Sequence, residues 1–142
     1  MKRTSTAQYD FYTGLVTLET DVDNNVSTAT EYDALGRAVK VAAAVGTPLE
    51  VWTQTVYDDV DRRVIIKSDL ETKGDAKKVA IRHYDQLGRI RLSRTLEDAA
   101  TEDPLDEKDG IKVQTRYMIS GGYTYRFRKQ STKAKGVNVV HA

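Results

Sequence analysis

Cysteine is absent from all 142 residues. That removes disulfide frameworks, Cys-based zinc sites, iron–sulfur ligation and thiol nucleophiles together. Proline occurs only twice, and neither sign of charge prevails: 22 Lys and Arg stand against 21 Asp and Glu, a formal net charge of +1. Such a balance lacks the basic excess of a dedicated nucleic-acid binder, and nucleic acid is not an expected partner. No run approaches the roughly 18 consecutive apolar residues of a membrane helix, so no membrane span is expected. The start Met1-Lys2-Arg3-Thr4-Ser5-Thr6 leads into polar residues rather than the apolar stretch of an export signal. The expectation is a chain with no address of its own, whose export, where it happens, is specified elsewhere. Histidine is also scarce. His83 and His141 have no serine or carboxylate constellation to orient them, and neither a Gly-x-Ser-x-Gly elbow nor a glycine-rich phosphate loop occurs. No catalytic, cofactor-binding or metal-ligating residue is nominated, and the chain is read as a non-enzyme.

Tyrosine, by contrast, is plentiful: eight residues against two Phe and one Trp. Five of them, Tyr9, Tyr32, Tyr57, Tyr84 and Tyr117, recur at spacings of 23, 25, 27 and 33 residues, and the first four are each followed by aspartate. Recurrence of this kind marks an internal repeat. Three copies are in tight register: Tyr32-Asp33-Ala34-Leu35-Gly36-Arg37, Tyr57-Asp58-Asp59-Val60-Asp61-Arg62 and Tyr84-Asp85-Gln86-Leu87-Gly88-Arg89. An earlier copy, Tyr9-Asp10-Phe11-Tyr12-Thr13-Gly14-Leu15, places its glycine one position later and lacks the arginine, and the copy at Tyr117 has lost the aspartate.

The flanking segments alternate apolar and polar side chains, which is the period of a half-buried strand. Val51-Trp52-Thr53-Gln54-Thr55-Val56 and Lys78-Val79-Ala80-Ile81-Arg82-His83 lead into two of the tyrosines, and β-branched and aromatic residues dominate these windows. Each unit therefore reads as strand, tight turn, strand, with all five tyrosines at corners. Aspartate after the tyrosine accepts hydrogen bonds from N–H groups two residues on, and glycine supplies the positive φ that closes the turn. Asp61 stands in the glycine position of the second tight copy, a residue that tolerates the left-handed region. The arginine opens the return strand, placed to pair with the turn carboxylate or to stack on a tyrosine ring. The structural repeat residues are Tyr32, Asp33, Gly36, Arg37, Tyr57, Asp58, Arg62, Tyr84, Asp85, Gly88 and Arg89.

Between the units lie connections of uneven length, which is how surface loops of a hairpin array vary. Asp21-Val22-Asp23-Asn24-Asn25 begins like a calcium loop, but Val26 stands where glycine is required and Tyr32 where the bidentate glutamate is needed. The acidic run Glu97 to Gly110 is read as a solvated loop. From Arg126 to Gly136 there are five basic residues, no acids and no repeat signature, as in a flexible tail. The expected organisation is a lead-in over residues 1–8, a hairpin array over 9–125 and a basic tail over 126–142. The expected fold is all-β: about four antiparallel hairpins in a twisted, open sheet.

The recurring Tyr-Asp-x-x-Gly-Arg pattern resembles the YD repeats of the RHS family, over roughly residues 9 to 117. The resemblance implies a segment of a large bacterial surface or secreted protein in which many hairpins join edge to edge into a spiralling sheet. In polymorphic toxins and toxin-complex C components such a sheet encloses a toxic polypeptide. This chain has too few units to close a shell and no Asp-Pro-x-Gly core-ending segment, so self-cleavage and toxin activity are not carried over to it. A structural, non-catalytic role follows, with neighbouring repeats of a larger protein as partners and self-association through open sheet edges. The competing expectation is a cell-surface module that binds carbohydrate on its tyrosines. Architecture must recur in every repeat whereas a binding site need occur only once, which favours the structural role.

Overall fold

The computed structural model describes residues 3–120, 123–134 and 137–140. Eleven strands are present among them: β1 (Ser5–Tyr9), β2 (Val16–Asp21), β3 (Val26–Tyr32), β4 (Ala38–Ala43), β5 (Val51–Asp58), β6 (Arg63–Ser68), β7 (Lys78–Tyr84), β8 (Ile90–Thr95), β9 (Ile111–Ser120), β10 (Tyr123–Ala134) and β11 (Val137–Val140). They form one open antiparallel sheet in chain order, and no helix occurs among the described residues. The all-β expectation holds. Four Tyr-Asp steps end β1, β3, β5 and β7, and each leads by a tight turn into the return strand. Three of these hairpins share a finer feature. The register shifts by one residue between Gln8 and Tyr9, between Glu31 and Tyr32, and between His83 and Tyr84, each time directly before the motif tyrosine. The extra residue lies on the return strand each time, Thr17, Val39 and Arg91, and such a bulge bends that strand as it leaves the turn.

The chain comprises two compact units: Met1–Val56 with Lys67–Lys77, and Tyr57–Ile66 with Lys78–Ala142. In the first, no described residue is buried. A single sheet layer with nothing stacked on it has two wet faces, and the Thr, Ser and Ala of β2, β3 and β4 suit that position better than a row of Leu or Ile would. The second unit has the core. Ile65, Val79, Ile81 and Leu96 pack together with Ala99 against them, and Ile81 is wholly inaccessible. Val79 and Ile81 alternate along β7 on one face, as the period of two requires. Leu96 and Ala99 come from the connection after β8.

The run Glu97 to Gly110 is for the most part exposed, as expected of a solvated loop, but Ala99 packs on the core and Gly110 is buried. Leu96 N–H donates to Val79 O (2.9 Å), and Leu96 is buried. The run's acids face outward, bind the loop's own backbone or, at Glu107, pair with Arg91 of β8, so a strongly acidic composition did not prevent it from covering an apolar face.

The boundaries shift at both ends. β1 begins at Ser5, so half of the lead-in belongs to the first hairpin. β10 runs through Ala134 and pairs with β9 from Ser120↔Tyr123 to Lys112↔Ser131, so Arg126 to Ser131 is strand where a flexible tail is expected. Neither proline nor an Asp/Asn turn former interrupts residues 123–134, and Tyr, Thr and Phe among them have high strand propensity. Tyr117 lies inside β9 rather than at its end. Met1, Lys2, the Gly121-Gly122 pair, residues 135–136 of the tail and His141 lie outside the described residues.

Candidate functional site

The Asp33 turn is built almost wholly from the carboxylate of Asp33. It accepts hydrogen bonds from the N–H groups of Leu35 and Arg37 (both 2.9 Å) and from Arg37 Nε (2.7 Å). Asp33 N–H donates to Arg37 O and Gly36 N–H to Asp33 O, both at 2.9 Å, while Gly36 takes φ +75°. At Asp85 the same set recurs: Leu87 N–H and Arg89 N–H at 2.9 Å, Arg89 Nε at 2.8 Å, and Gly88 at φ +71°. The backbone N–H of Arg37, and of Arg89 in the second turn, holds each carboxyl below the usual range, with the guanidinium adding to it.

At Asp58 the turn is one residue longer, and two expectations change. The residue with positive φ is Arg62 (+48°), not Asp61, and the guanidinium bound by Asp58 belongs to Arg63 (Nε 2.8 Å, Nη2 2.7 Å). Asp61 N–H bonds the Asp58 carboxylate (3.0 Å), and its own carboxylate pairs with Arg63 at 2.9 Å. Without a glycine the chain inserts a residue before it turns back, and the arginine moves from the fifth to the sixth position after Tyr57. The Asp10 turn has the same longer form. Asp10 binds Tyr12 N–H, Thr13 N–H and the Thr13 hydroxyl (3.1, 2.8 and 2.8 Å), Gly14 sits at φ +68°, and Leu15 occupies the place of Arg63.

The tyrosines join one hairpin to the one before it. Tyr32 Oη donates to Val16 O on β2 (2.8 Å), and Tyr84 N–H donates to Arg62 O (2.8 Å). The Arg89 guanidinium lies 4.4 Å from the centre of the Tyr117 ring, so the arginine both binds its own turn and stacks on the next tyrosine. Tyr32, Tyr57, Tyr84 and Tyr117 are half-buried, whereas Tyr9 on the outermost strand is 64% exposed. Phe11 and Tyr12, edge to face at 5.3 Å, form an exposed aromatic pair at the tip of the β1–β2 hairpin.

A second cluster escaped the sequence reading. His83 and Arg94 are buried, on the apolar face of β7 and β8. Arg94 Nε donates to His83 Nε2 (3.3 Å), and the rest of its guanidinium donates to the main-chain oxygens of Pro104, Asp106 and Asp109 in the loop that covers it. Glu107 from that loop approaches His83 Nδ1 at 3.4 Å and pairs with Arg91 at 2.5 Å. Burial pushes the His83 pKa below its ordinary 6.5, against the pull of Glu107. The signal was present: His83 continues the alternation of Val79 and Ile81, and Arg94 lies between Leu92 and Leu96 in the same register.

Elsewhere, Asp21 caps the β2–β3 turn by accepting from Asp23 N–H and Asn24 N–H (3.1 and 3.2 Å), with Asn25 at φ +51°. Among the described residues no group of three or more His, Asp or Glu is placed to hold a metal ion. No family model matches this chain, and no curated protein or solved structure matches it either.

Proposed function

We propose that the chain is a structural, non-catalytic segment of an RHS/YD-repeat shell or surface protein, exported as part of a larger polypeptide, with further hairpins of the same kind as its partners. The observation that carries this reading is the identity of the Asp33 and Asp85 turns, bond for bond, with the same one-residue bulge on the return strand in both. In these turns the Asp and Arg side chains are engaged by each other and by the backbone, and Tyr32 by a neighbouring hairpin, as an architectural repeat requires. Tyr9, at the sheet edge, is in the position that a preceding hairpin would cover.

The test is to fuse one further Tyr-Asp hairpin ahead of β1 and follow amide exchange. Docking protects the outward amides of Ser5 and Ala7 and shields Tyr9; unchanged protection overturns the reading. The exposed Phe11–Tyr12 pair favours a second reading, carbohydrate binding. Glycan binding by the folded protein that is lost in Tyr12→Ala, with the fold retained, would establish it in place of the first.

A further inference from the structure

Beneath residues 96–110, His83 and Arg94 are only 2% and 1% exposed. Because Arg94 Nε donates to His83 Nε2, that ring nitrogen carries a lone pair, and the imidazole is neutral with its proton on Nδ1, facing Glu107 Oε1 at 3.4 Å. Arg94 is also the clasp of the loop, through the carbonyls of Pro104, Asp106 and Asp109. The charges around the ring are Glu107 from the loop, Arg94 and Arg91 from β8, and Arg63 from β6. The single carboxylate among them is already engaged by Arg91 at 2.5 and 3.4 Å.

We propose that the 96–110 loop is a pH-sensitive strap, closed over the second unit's apolar face while His83 is neutral and released when His83 takes up a proton. A proton on Nε2 turns an acceptor into a donor directly opposite the Arg94 Nε–H, and adds a fourth cation, beside Arg94, Arg91 and Arg63, where one carboxylate faces the ring. The contact between ring and clasp is lost, and Arg94 reorients with it. Opening the strap removes Leu96 and Ala99 from Ile65, Val79 and Ile81 and exposes that apolar patch.

The direction follows from linkage. In the open state His83 protonates near its ordinary 6.5; in the closed state burial lowers that value. The closed strap is therefore at full strength above pH 6.5. It weakens as the pH falls below 6.5, by up to tenfold in the open-to-closed ratio per pH unit, until the closed-state pKa is reached.

Amide exchange between pH 7.5 and 5.0, corrected for intrinsic rates, tests this at Leu96 N–H, bonded to Val79 O, and Asp103 N–H, bonded to the Asp109 carboxylate (2.9 Å). Protection should decline from about pH 6.5, approaching tenfold per unit. A flat profile in the wild type overturns the proposal. His83→Gln keeps an acceptor for Arg94 and cannot titrate, so its profile should be flat; a decline matching the wild type overturns the proposal equally. Where that variant does not fold, nitrogen NMR of the wild-type imidazole decides. The Nδ1–H tautomer at pH 7.5 with a midpoint below 6.5 supports the strap, and the Nε2–H tautomer or a midpoint at or above 6.5 refutes it.

Discussion

One methyl group, added at Gly110 and separately at Gly88, separates backbone strain from packing. Both glycines have positive φ, +77° and +71°, so alanine at either is forced into the left-handed region at about 1–2 kcal/mol. Loss of unfolded-state freedom returns about 0.4–1 kcal/mol in each case. At Gly88 a Cβ meets nothing within 4 Å, and the net cost stays near ~1 kcal/mol. At Gly110 it meets Thr95 O at 2.6 Å and Leu96 Cδ2 at 3.1 Å. A backbone oxygen cannot rotate aside, and Leu96 belongs to the buried cluster, so overpacking adds about 1–3 kcal/mol. Gly110→Ala should thus cost ~2–4 kcal/mol, a large share of a stability that is ordinarily 5–15 kcal/mol for a whole domain. Urea unfolding followed by far-UV circular dichroism measures both, with amide exchange at Ile81 reporting on the second unit. Equal costs, or a larger one at Gly88, would show that the strap yields freely and would refute the close seat described for it.

Other outcomes are expected. Arg62→Gly should leave stability unchanged or raise it by up to ~1 kcal/mol, since it relieves a left-handed arginine, whereas Arg63→Ala should lower it by removing the pairs with Asp58 and Asp61; the opposite order in chemical melts would refute the longer turn. The carboxyls of Asp33 and Asp85 are held below their ordinary 3.8, so their contribution is complete above that value and is lost as pH falls through it toward the folded-state values. Thermal melts below pH 4 should therefore fall less steeply in an Asp33→Asn/Asp85→Asn variant, and identical acid limbs would contradict the assignment. Thr4 turns its carbonyl to Val22 on the β2 side (3.1 Å), so by alternation Ala7 directs its N–H outward from the edge. Ala7→Pro should weaken concentration-dependent association in sedimentation velocity while leaving the β1–β2 pairing in place; a wild type that stays monomeric at every concentration, with a sharp melt, refutes edge pairing.

Much of the fold was legible because its signals are local. A period of two, β-branched residues and an Asp-to-Gly turn lie within a few positions of one another, so β3, β4, β7 and β8 and the turns between them could be read directly. The Asp33–Arg37 and Asp85–Arg89 pairs were legible for the same reason, being four residues apart. The reading failed at Asp58, where alignment to the other copies placed the left-handed residue at Asp61. Turn length is set by what the backbone accepts, and without glycine the chain moved that conformation to Arg62. It failed again at Arg126 to Ser131, where a basic composition outweighed an uninterrupted strand pattern whose partner, β9, is close by.

Sequence alone determined that this chain is a succession of antiparallel hairpins with aspartate at four of their corners, since side-chain alternation and turn chemistry are properties of neighbours along the chain. Only the tertiary structure decided which face is covered and by what. A core of Ile65, Val79, Ile81 and Leu96 forms because an acidic loop folds back over it. That loop is held by a buried arginine whose three carbonyl partners lie 10 to 15 residues away. Contacts over such separations depend on how the loop closes in space, and no local pattern records them.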